Sequence, residues 1–341
     1  MQIKGIKKHF NTIFLLLVFA LTLWSVFHGE DLSETVDYLQ TVNPLFIFPA
    51  IACVLLFILG ESVVIDYLLK SLGTRARFGH CCLYSFIGFF YSCITPSASG
   101  GQPMQVIAMR RDKIPVAVST VVLAIVTITY KLVLVVIGLA VVILRPPVIM
   151  TYMDRVEELV WLGLALNVGC IVLLMMLVFH PNMVKNCAAW VLRLLNRIRP
   201  FRHPEKINRK LESMADQYTG TADYYREHKG LIIVVFLITL VQRMLLFMVT
   251  WFTYKAFGLS GEKIATVVLL QAMISVAVDM LPLPGGMGIS ENLFLQIFLP
   301  IFGSALVLPG LVISRGISYY TQLLLSAVMT IVAAFVLRRH K

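Results

Sequence analysis

The stretch TPSASGGQPMQ, residues 95–105, places hydroxyl, amide and glycine residues inside a long apolar segment. Its hydrogen-bonding side chains and free backbone N–H donors belong to Thr95, Ser97, Ser99, Gln102, Gly100 and Gly101. Such donors beside a helix N-terminus suit an anion, most naturally a phosphate. The alternative is that these small residues only let two helices pack closely. We interpret them as an anion site, because close packing alone seldom requires so many polar groups at a break.

A second stretch, LPLPGGMGISE at residues 281–291, carries prolines and glycines that prevent a helix from continuing. Gly285 and Gly286 lie at its centre, and Asp279 and Glu291 flank it. Two carboxylates at membrane depth indicate proton or cation coupling, or the binding of an amine. They are equally consistent with acidic residues that cap helix ends. The sequence leaves these two readings open.

Three basic residues, Lys131, Arg243 and Arg315, fall deep inside apolar runs. Each costs about 2.5 to 3.5 kcal/mol or more at the centre of a membrane helix, so each needs a partner. Acids available for pairing within such runs include Glu61, Asp66, Asp279 and Glu291. Internal ion pairing would therefore explain the cations completely. The competing hypothesis, which we adopt, is that they form one cavity that receives an anionic head group.

The apolar runs that carry these residues define the class of protein. The chain has 341 residues, of which 59% are hydrophobic and 14% charged, too apolar for a soluble core. Runs long enough to cross about 30 Å of hydrocarbon occur near 10–27, 44–69, 115–144, 159–179, 231–254 and 305–337. Two further runs, 78–109 and 264–303, contain the interrupted stretches. The sequence predicts a polytopic membrane protein.

The net charge of +11 comes from basic residues in particular loops. Lys and Arg cluster in the first eight residues, at 70–77, at 110–113, between 185 and 229, and at the C-terminus, whereas residues 30–37 carry four carboxylates and no basic residue. This asymmetry places the basic loops and both termini in the cytoplasm. Topology and anionic lipid explain the charge, so no nucleic-acid partner is predicted.

The basic loops at both ends of segment 78–109 require it to turn back inside the membrane, and segment 264–303 must do the same from outside. The two segments occupy matching positions. Thr95 lies 51 residues after Pro44, and Leu281 lies 50 residues after Leu231. Matched broken segments are typical of inverted-repeat transporters whose binding site lies between them. We predict repeats at 44–144 and 231–337, separated by a basic cytoplasmic segment at 181–230.

The predicted fold is therefore one all-α membrane domain over residues 1–341. It has about six full transmembrane helices, two re-entrant helical hairpins in an inverted-repeat arrangement, and both termini in the cytoplasm. A polar helix at 204–226 is predicted to lie on the membrane surface or to cap the bundle. No zinc spacing, P-loop, dinucleotide fingerprint or nucleophile elbow occurs in the sequence, so no metal, cofactor or catalytic residue is predicted.

The two broken stretches, together with Arg243 and Arg315, resemble the lysylphosphatidylglycerol synthase transmembrane family, the flippase-like membrane domain of the multiple peptide resistance factor. The resemblance implies a bacterial inner-membrane protein that moves phosphatidylglycerol or its aminoacylated form between leaflets. Full-length members add a soluble aminoacyltransferase domain, which we expect to be absent because this sequence stops at RRHK. The family's link to antimicrobial peptide resistance and lipid metabolism comes with the same resemblance.

We therefore predict a phospholipid flippase and not an enzyme. The phosphate would rest against the hairpin N–H groups and against Lys131, Arg243 and Arg315. When the site is empty, Glu61, Asp279 and Glu291 would pair with these cations, or they would bind a lysyl amine. Two alternatives remain, the membrane part of a phosphatidylglycerol lysyltransferase with a separate catalytic domain, and a transporter of polyprenyl phosphate or a small solute. A homodimer is left open as the assembly.

Overall fold

A computed structural model describes residues 37–38, 40–74, 76–153, 156–179 and 204–337. Within these ranges the regular structure is helical and no strand occurs, so the predicted all-α class is confirmed. The predictions for the first apolar run, for most of the basic segment before residue 204 and for the basic tail lie outside the described residues. In chain order the helices are α1 Pro44–Ser71, α2 Phe78–Cys93, α3 Gly101–Arg111, α4 Val116–Leu144, α5 Pro147–Met153, α6 Glu157–Phe179, α7 Pro204–Glu227, α8 Lys229–Ala256, α9 Ile264–Val278, α10 Ile289–Phe302, α11 Val307–Arg315 and α12 Gln322–Val336.

Five helical segments of the described chain are long and apolar enough to cross a bilayer. They are α1, α4, α6, α8 and the continuous segment Val307–Val336, which joins α11 and α12 through a π-helical segment, Gly316–Thr321. Their mean hydropathy over the best window lies between 1.7 and 2.6. These helices coincide with the five predicted spans that fall within the described residues, and the protein is a multi-pass membrane protein.

The first broken segment forms a helical hairpin. Helix α2 has 16 residues and α3 has 11, so each spans less than the bilayer's hydrocarbon thickness of about 30 Å. Between them lies a 3₁₀ turn, Pro96–Ala98, in which Ser97 and Ala98 adopt positive φ angles of 50° and 54°. The break falls within the stretch that the sequence singled out.

Glycine permits the two helices of this hairpin to touch. A Cβ atom built on Gly101 would lie 2.8 Å from the carbonyl oxygen of Gly88 in α2. Because that oxygen belongs to the backbone of a neighbouring helix, it cannot move aside without shifting the helix. The packing role that the sequence allowed for small residues therefore applies at Gly101.

We expect Gly101→Ala to lower the free energy of unfolding by about 1 to 3 kcal/mol, the usual range for overpacking. The matched control is Gly169→Ala in α6, where an added Cβ meets nothing within 4 Å. Alanine favours a helix interior over glycine, so the control should be neutral or slightly stabilising. Melting temperatures of the detergent-solubilised variants measure both effects. Equal melting temperatures for the two variants would contradict the close packing.

The second broken segment has the same order of elements. Helices α9 and α10 contain 15 and 14 residues and flank a 3₁₀ turn, Pro284–Gly286. Gly285, Gly286 and Gly288 have φ angles of +59°, +67° and +86°, which explains why glycine occupies all three positions. The hydroxyl of Ser97 donates to the carbonyl of Leu281 at 3.2 Å, so the tips of the two hairpins meet.

Helix α7 packs against one end of the bundle. The Tyr225 hydroxyl donates to the Leu68 carbonyl at 2.7 Å, and the Tyr224 hydroxyl donates to Ser71 at 2.8 Å. The Tyr218 hydroxyl donates to the carbonyl of Leu177, at the end of α6, at 3.0 Å. The polar helix predicted near residues 204–226 therefore caps the ends of α1 and α6.

Candidate functional site

A cavity of about 880 Å³ lies where the two hairpin tips meet. Of the fourteen residues predicted for the site, nine line it: Glu61, Ser97, Gln102, Lys131, Arg243, Asp279, Gly285, Gly286 and Arg315. The other five, Thr95, Ser99, Gly100, Gly101 and Glu291, do not line it. The fold thus brings all three predicted cations into one chamber, together with two of the three acids. Their role in binding stays a prediction.

Arg243 is the most deeply buried cation of the cavity, with 3% of its surface exposed. Its guanidinium donates through Nη1 to the Tyr130 hydroxyl at 2.6 Å and lies 3.8 Å from the centre of the Tyr130 ring. Its Nη2 atom lies 3.6 Å from Asp279 Oδ1, close enough for ion pairing but too far for a hydrogen bond. Within the described residues, Nε and Nη2 have no hydrogen-bond partner. A buried guanidinium therefore presents two unused donor atoms.

Lys131 and Arg243 share a single carboxylate. The Lys131 ammonium donates to Asp279 Oδ2 at 2.7 Å and also contacts the sulfur of Met280 at 2.9 Å. The Lys131 and Asp279 side chains are only 12% and 17% exposed, so solvent screens the pair weakly. Two cations facing one carboxylate leave this part of the cavity with an excess of positive charge.

Arg315 connects α11 to the second hairpin tip. Its Nε atom donates to Glu291 Oε1 at 2.7 Å, and its Nη2 atom donates to the Gly285 carbonyl at 3.0 Å. The other oxygen of Glu291 accepts from the Gly288 N–H at 2.7 Å and from Ser290 Oγ at 2.8 Å. Glu291 therefore caps the start of α10, as the capping reading expected, and forms an internal ion pair with Arg315. A role in coupling or amine binding stays a prediction.

Glu61 lies on α1 at the edge of the cavity, and it is buried. Its Oε1 atom accepts a hydrogen bond of 2.6 Å from the Gln105 amide of α3. Within the described residues it forms no ion pair, unlike Asp279 and Glu291. Of the three predicted acids it is therefore the one that no cation holds.

Most polar groups of the first hairpin tip are used inside the tip. Thr95 Oγ1 donates to the Tyr91 carbonyl at 2.6 Å and accepts from the Gly100 N–H at 2.9 Å. The Ser99 N–H donates to the Pro96 carbonyl at 3.1 Å. A ligand contact from the Gly100 N–H would require its bond to Thr95 to open.

Two other polar side chains of the same tip face the cavity. The hydroxyl of Ser97 bonds to the second tip, and the Gln102 amide donates to Thr127 Oγ1 at 3.2 Å. Both side chains line the chamber, and each is already engaged in one hydrogen bond.

Sequence reasoning missed several polar residues that line or brace the cavity: Gln105, Tyr130, Thr250, Gln271, Ser314 and Tyr319. Tyr319 is the most consequential, because its hydroxyl donates to the Cys93 carbonyl at 2.9 Å and its ring lies directly over Gly285. It sits in the π-helical segment, a local widening that often marks functional sites. Tyr319 stands out only by its position in this π-helical segment, and no sequence pattern predicts that the helix widens there.

We expect Tyr319→Phe to lower stability by about 1 kcal/mol, because it leaves the buried Cys93 carbonyl without its donor. Tyr91→Phe is the matched control, since the Tyr91 hydroxyl forms no hydrogen bond with the described residues. Comparing the two melting temperatures in detergent measures the effect. A Tyr319→Phe protein with the melting temperature of the wild type would show that this bond does not help to hold the π-helical segment against the first hairpin.

Comparison with known families agrees with this architecture. Residues 12–326 match the family described as the lysylphosphatidylglycerol synthase TM region. The match includes both hairpins and the three cations that line the cavity. No curated protein matches the chain. Because the match covers most of the 341 residues, the chain belongs to the lysylphosphatidylglycerol synthase transmembrane family.

Proposed function

We propose that the protein is a flippase that carries an anionic phospholipid between the leaflets of the bacterial inner membrane. The observation that carries this proposal is Arg243, a buried guanidinium of the cavity. Two of its donor atoms are unbonded among the described residues, and it shares the single carboxylate of Asp279 with Lys131. Guanidinium groups bind phosphate through paired, charge-assisted hydrogen bonds. A phosphodiester in the cavity would satisfy both donors.

The cavity suits a phospholipid head group in size. Small-molecule sites typically enclose about 300 to 1,000 Å³, and this cavity of about 880 Å³ falls in that range. Its walls combine the three cations with apolar side chains such as Phe57, Phe89 and Leu246. Acyl chains can therefore stay near the bilayer while the phosphate enters.

In the protein without bound lipid, Asp279 and Glu291 pair with the cations that a phosphate would bind. Asp279 faces Lys131 and Arg243, so an arriving phosphate would compete with it for both cations. This exchange limits the net cost of binding and lets the head group leave again. No nucleotide-binding motif occurs in the sequence, so we propose facilitated movement or coupling to an ion gradient.

The finer identity of the lipid is also a proposal. Membership of the family relates the protein to lysylphosphatidylglycerol synthesis, which favours phosphatidylglycerol or its lysyl ester. Glu61 lies in the same cavity without a cationic partner among the described residues, so it is the residue that we assign to an aminoacyl amine. Binding of phosphatidylglycerol itself would require only the cations of the cavity.

Translocation of a head-group-labelled phosphatidylglycerol in proteoliposomes tests the proposal. The wild type should move the label into the protected leaflet faster than protein-free vesicles do, and an Arg243→Ala, Arg315→Ala double variant should not. Size-exclusion profiles and circular dichroism establish that the double variant folds. If the folded double variant moves the lipid as fast as the wild type does, the proposal fails.

The family match favours one second candidate, the membrane part of a phosphatidylglycerol lysyltransferase that works with a separate catalytic domain. Purified protein incubated with lysyl-tRNA, phosphatidylglycerol and a cell extract would then yield lysylated lipid. The extract alone serves as the control. A yield that depends on the purified protein, combined with an absence of translocation, would favour this role over the flippase.

A further inference from the structure

One face of α4 leads from the surface of the bundle to its charged centre. Thr120, Ala124, Thr127 and Lys131 follow one another at steps of four, three and four residues, so their side chains share that face. All four line the cavity. Lys131 follows Thr120 by eleven residues, which corresponds to about 16 Å along an α-helix. This distance separates the exposed Thr120 from the nearly buried Lys131.

Two other helices form walls beside this face. Helix α3 contributes Pro103 and Ile107 to the cavity lining, and α6 contributes Cys170 and Leu174. Ile107 is 47% exposed, so the lining continues onto the outer surface of the bundle, where lipid surrounds a membrane protein. We name this channel, formed by residues 103, 107, 120, 124, 127, 170 and 174, the α4 groove.

The α4 groove is apolar in its chemistry. Its walls are mainly aliphatic, and the hydroxyls of Thr120 and Thr127 both donate to carbonyls of their own helix at 2.8 Å. These threonines therefore have their hydrogen-bond donors satisfied within α4. Polar side chains begin where the Gln102 amide meets Thr127, one turn before Lys131, at which the groove joins the cation cluster.

Among the described residues, the lining of the groove reaches one end of the bundle. Thr120 lies in the first turns of α4, close in sequence to the basic residues Arg110, Arg111 and Lys113, which the positive-inside rule places in the cytoplasm. Toward the other end, Val133 to Val142 of α4 pack with α5, α9 and α10 into a continuous buried core. Among the described residues, neither α5 nor α10 contributes to the cavity lining.

We infer that the α4 groove is the entry path of an acyl chain from the cytoplasmic leaflet, and that the structure represents the state open to that leaflet. This inference rests on the proposed flippase function and narrows its substrate to a lipid with at least one long acyl chain. The chain lies along α4 while the phosphate reaches Lys131 and Arg243. A small soluble anion would need no apolar channel to the bilayer.

Photo-crosslinking tests the path independently of transport. The probe is phosphatidylglycerol with a diazirine on one acyl chain, reconstituted with the protein in phosphatidylcholine vesicles. We expect labelling that saturates, that unlabelled phosphatidylglycerol competes away, and that maps to peptides containing residues 103–107, 120–127 and 170–174. Ala124→Trp fills the groove and should lower this labelling at least fivefold.

Two further variants control the experiment. Val136→Trp places the same side chain at an exposed position of α4 outside the groove and should label like the wild type. Ile107→Trp, at the exposed rim, replaces Ala124→Trp if the latter does not fold, and we expect at least a threefold loss. Saturable labelling that persists in the folded groove variant, or labelling spread evenly over the lipid-facing helices, would overturn the inference.

The outcomes separate this inference from the function on which it rests. Groove labelling in a protein that moves no lipid would support the path and refute the flippase. Translocation that depends on Arg243 but is unchanged by Ala124→Trp would support the flippase and refute the path.

Discussion

Replacing Arg243 with alanine should lower the rate of phosphatidylglycerol translocation at least tenfold at subsaturating lipid. A hydrogen bond to a charged group contributes about 1.5 to 3 kcal/mol, and each 1.4 kcal/mol corresponds to a factor of about ten. The variant removes the two unbonded donor atoms of this cavity-lining side chain and also the contact with Tyr130. The proteoliposome assay, run over a range of lipid fractions, measures the loss.

Two variants show whether geometry or charge is responsible. Arg243→Lys keeps the positive charge but cannot form paired bonds to a phosphate, so we expect an intermediate rate. Lys255→Ala removes a cation from the same helix, where it donates to the Leu259 carbonyl outside the cavity, and should leave the rate near that of the wild type. Equal losses in Arg243→Ala and Lys255→Ala, together with a normal rate in Arg243→Lys, would indicate a general effect of charge in α8 and contradict a specific site.

Asp279→Ala should destabilise the empty protein by about 3 to 5 kcal/mol, the range found when one partner of a buried ion pair is removed. The substitution leaves Lys131 and Arg243 beside each other without their shared carboxylate. Like charges at this depth repel strongly, because little water screens them. Thermal unfolding in detergent without added anionic lipid measures the effect.

A second substitution should reverse most of this loss. Lys131→Met combined with Asp279→Ala removes one cation along with the carboxylate, so the double variant should be more stable than Asp279→Ala alone. The control is Glu157→Ala, which breaks a largely exposed pair with Arg145 and should cost no more than about 1 kcal/mol. If Asp279→Ala melts like Glu157→Ala, the shared carboxylate is not structurally important.

Strong local signals allowed the elements of the fold to be predicted. The predicted span at 44–69 corresponds to α1 at Pro44–Ser71, and the predicted span at 115–144 corresponds to α4 at Val116–Leu144. The breaks at 95–105 and 281–291 could be predicted because proline cannot continue a helix. In the second break the glycines do adopt positive φ, whereas in the first break the positive φ angles belong to Ser97 and Ala98. The inverted-repeat relation and its boundaries stay predictions.

The contacts inside the cavity could not be predicted, because they depend on how each helix is rotated about its axis. Sequence reasoning placed Lys131 and Arg315 at nearly matching positions of the two halves, but their partners differ. Lys131, in the first half, pairs with Asp279 of the second hairpin. Arg315 pairs with Glu291 of that same hairpin, which directly precedes it in the chain. No sequence pattern predicts the stacking of Arg243 on Tyr130 or the hydrogen bond between Glu61 and Gln105.

The most direct test of the account is native mass spectrometry of the protein purified in mild detergent. We predict a bound anionic phospholipid on the wild type, identified by its mass and fragmentation, that is lost from Arg243→Ala and retained by Lys255→Ala. A wild-type protein that retains no anionic lipid, or an Arg243→Ala protein that retains as much as the wild type, would contradict the central claim that this cavity binds a phosphate head group.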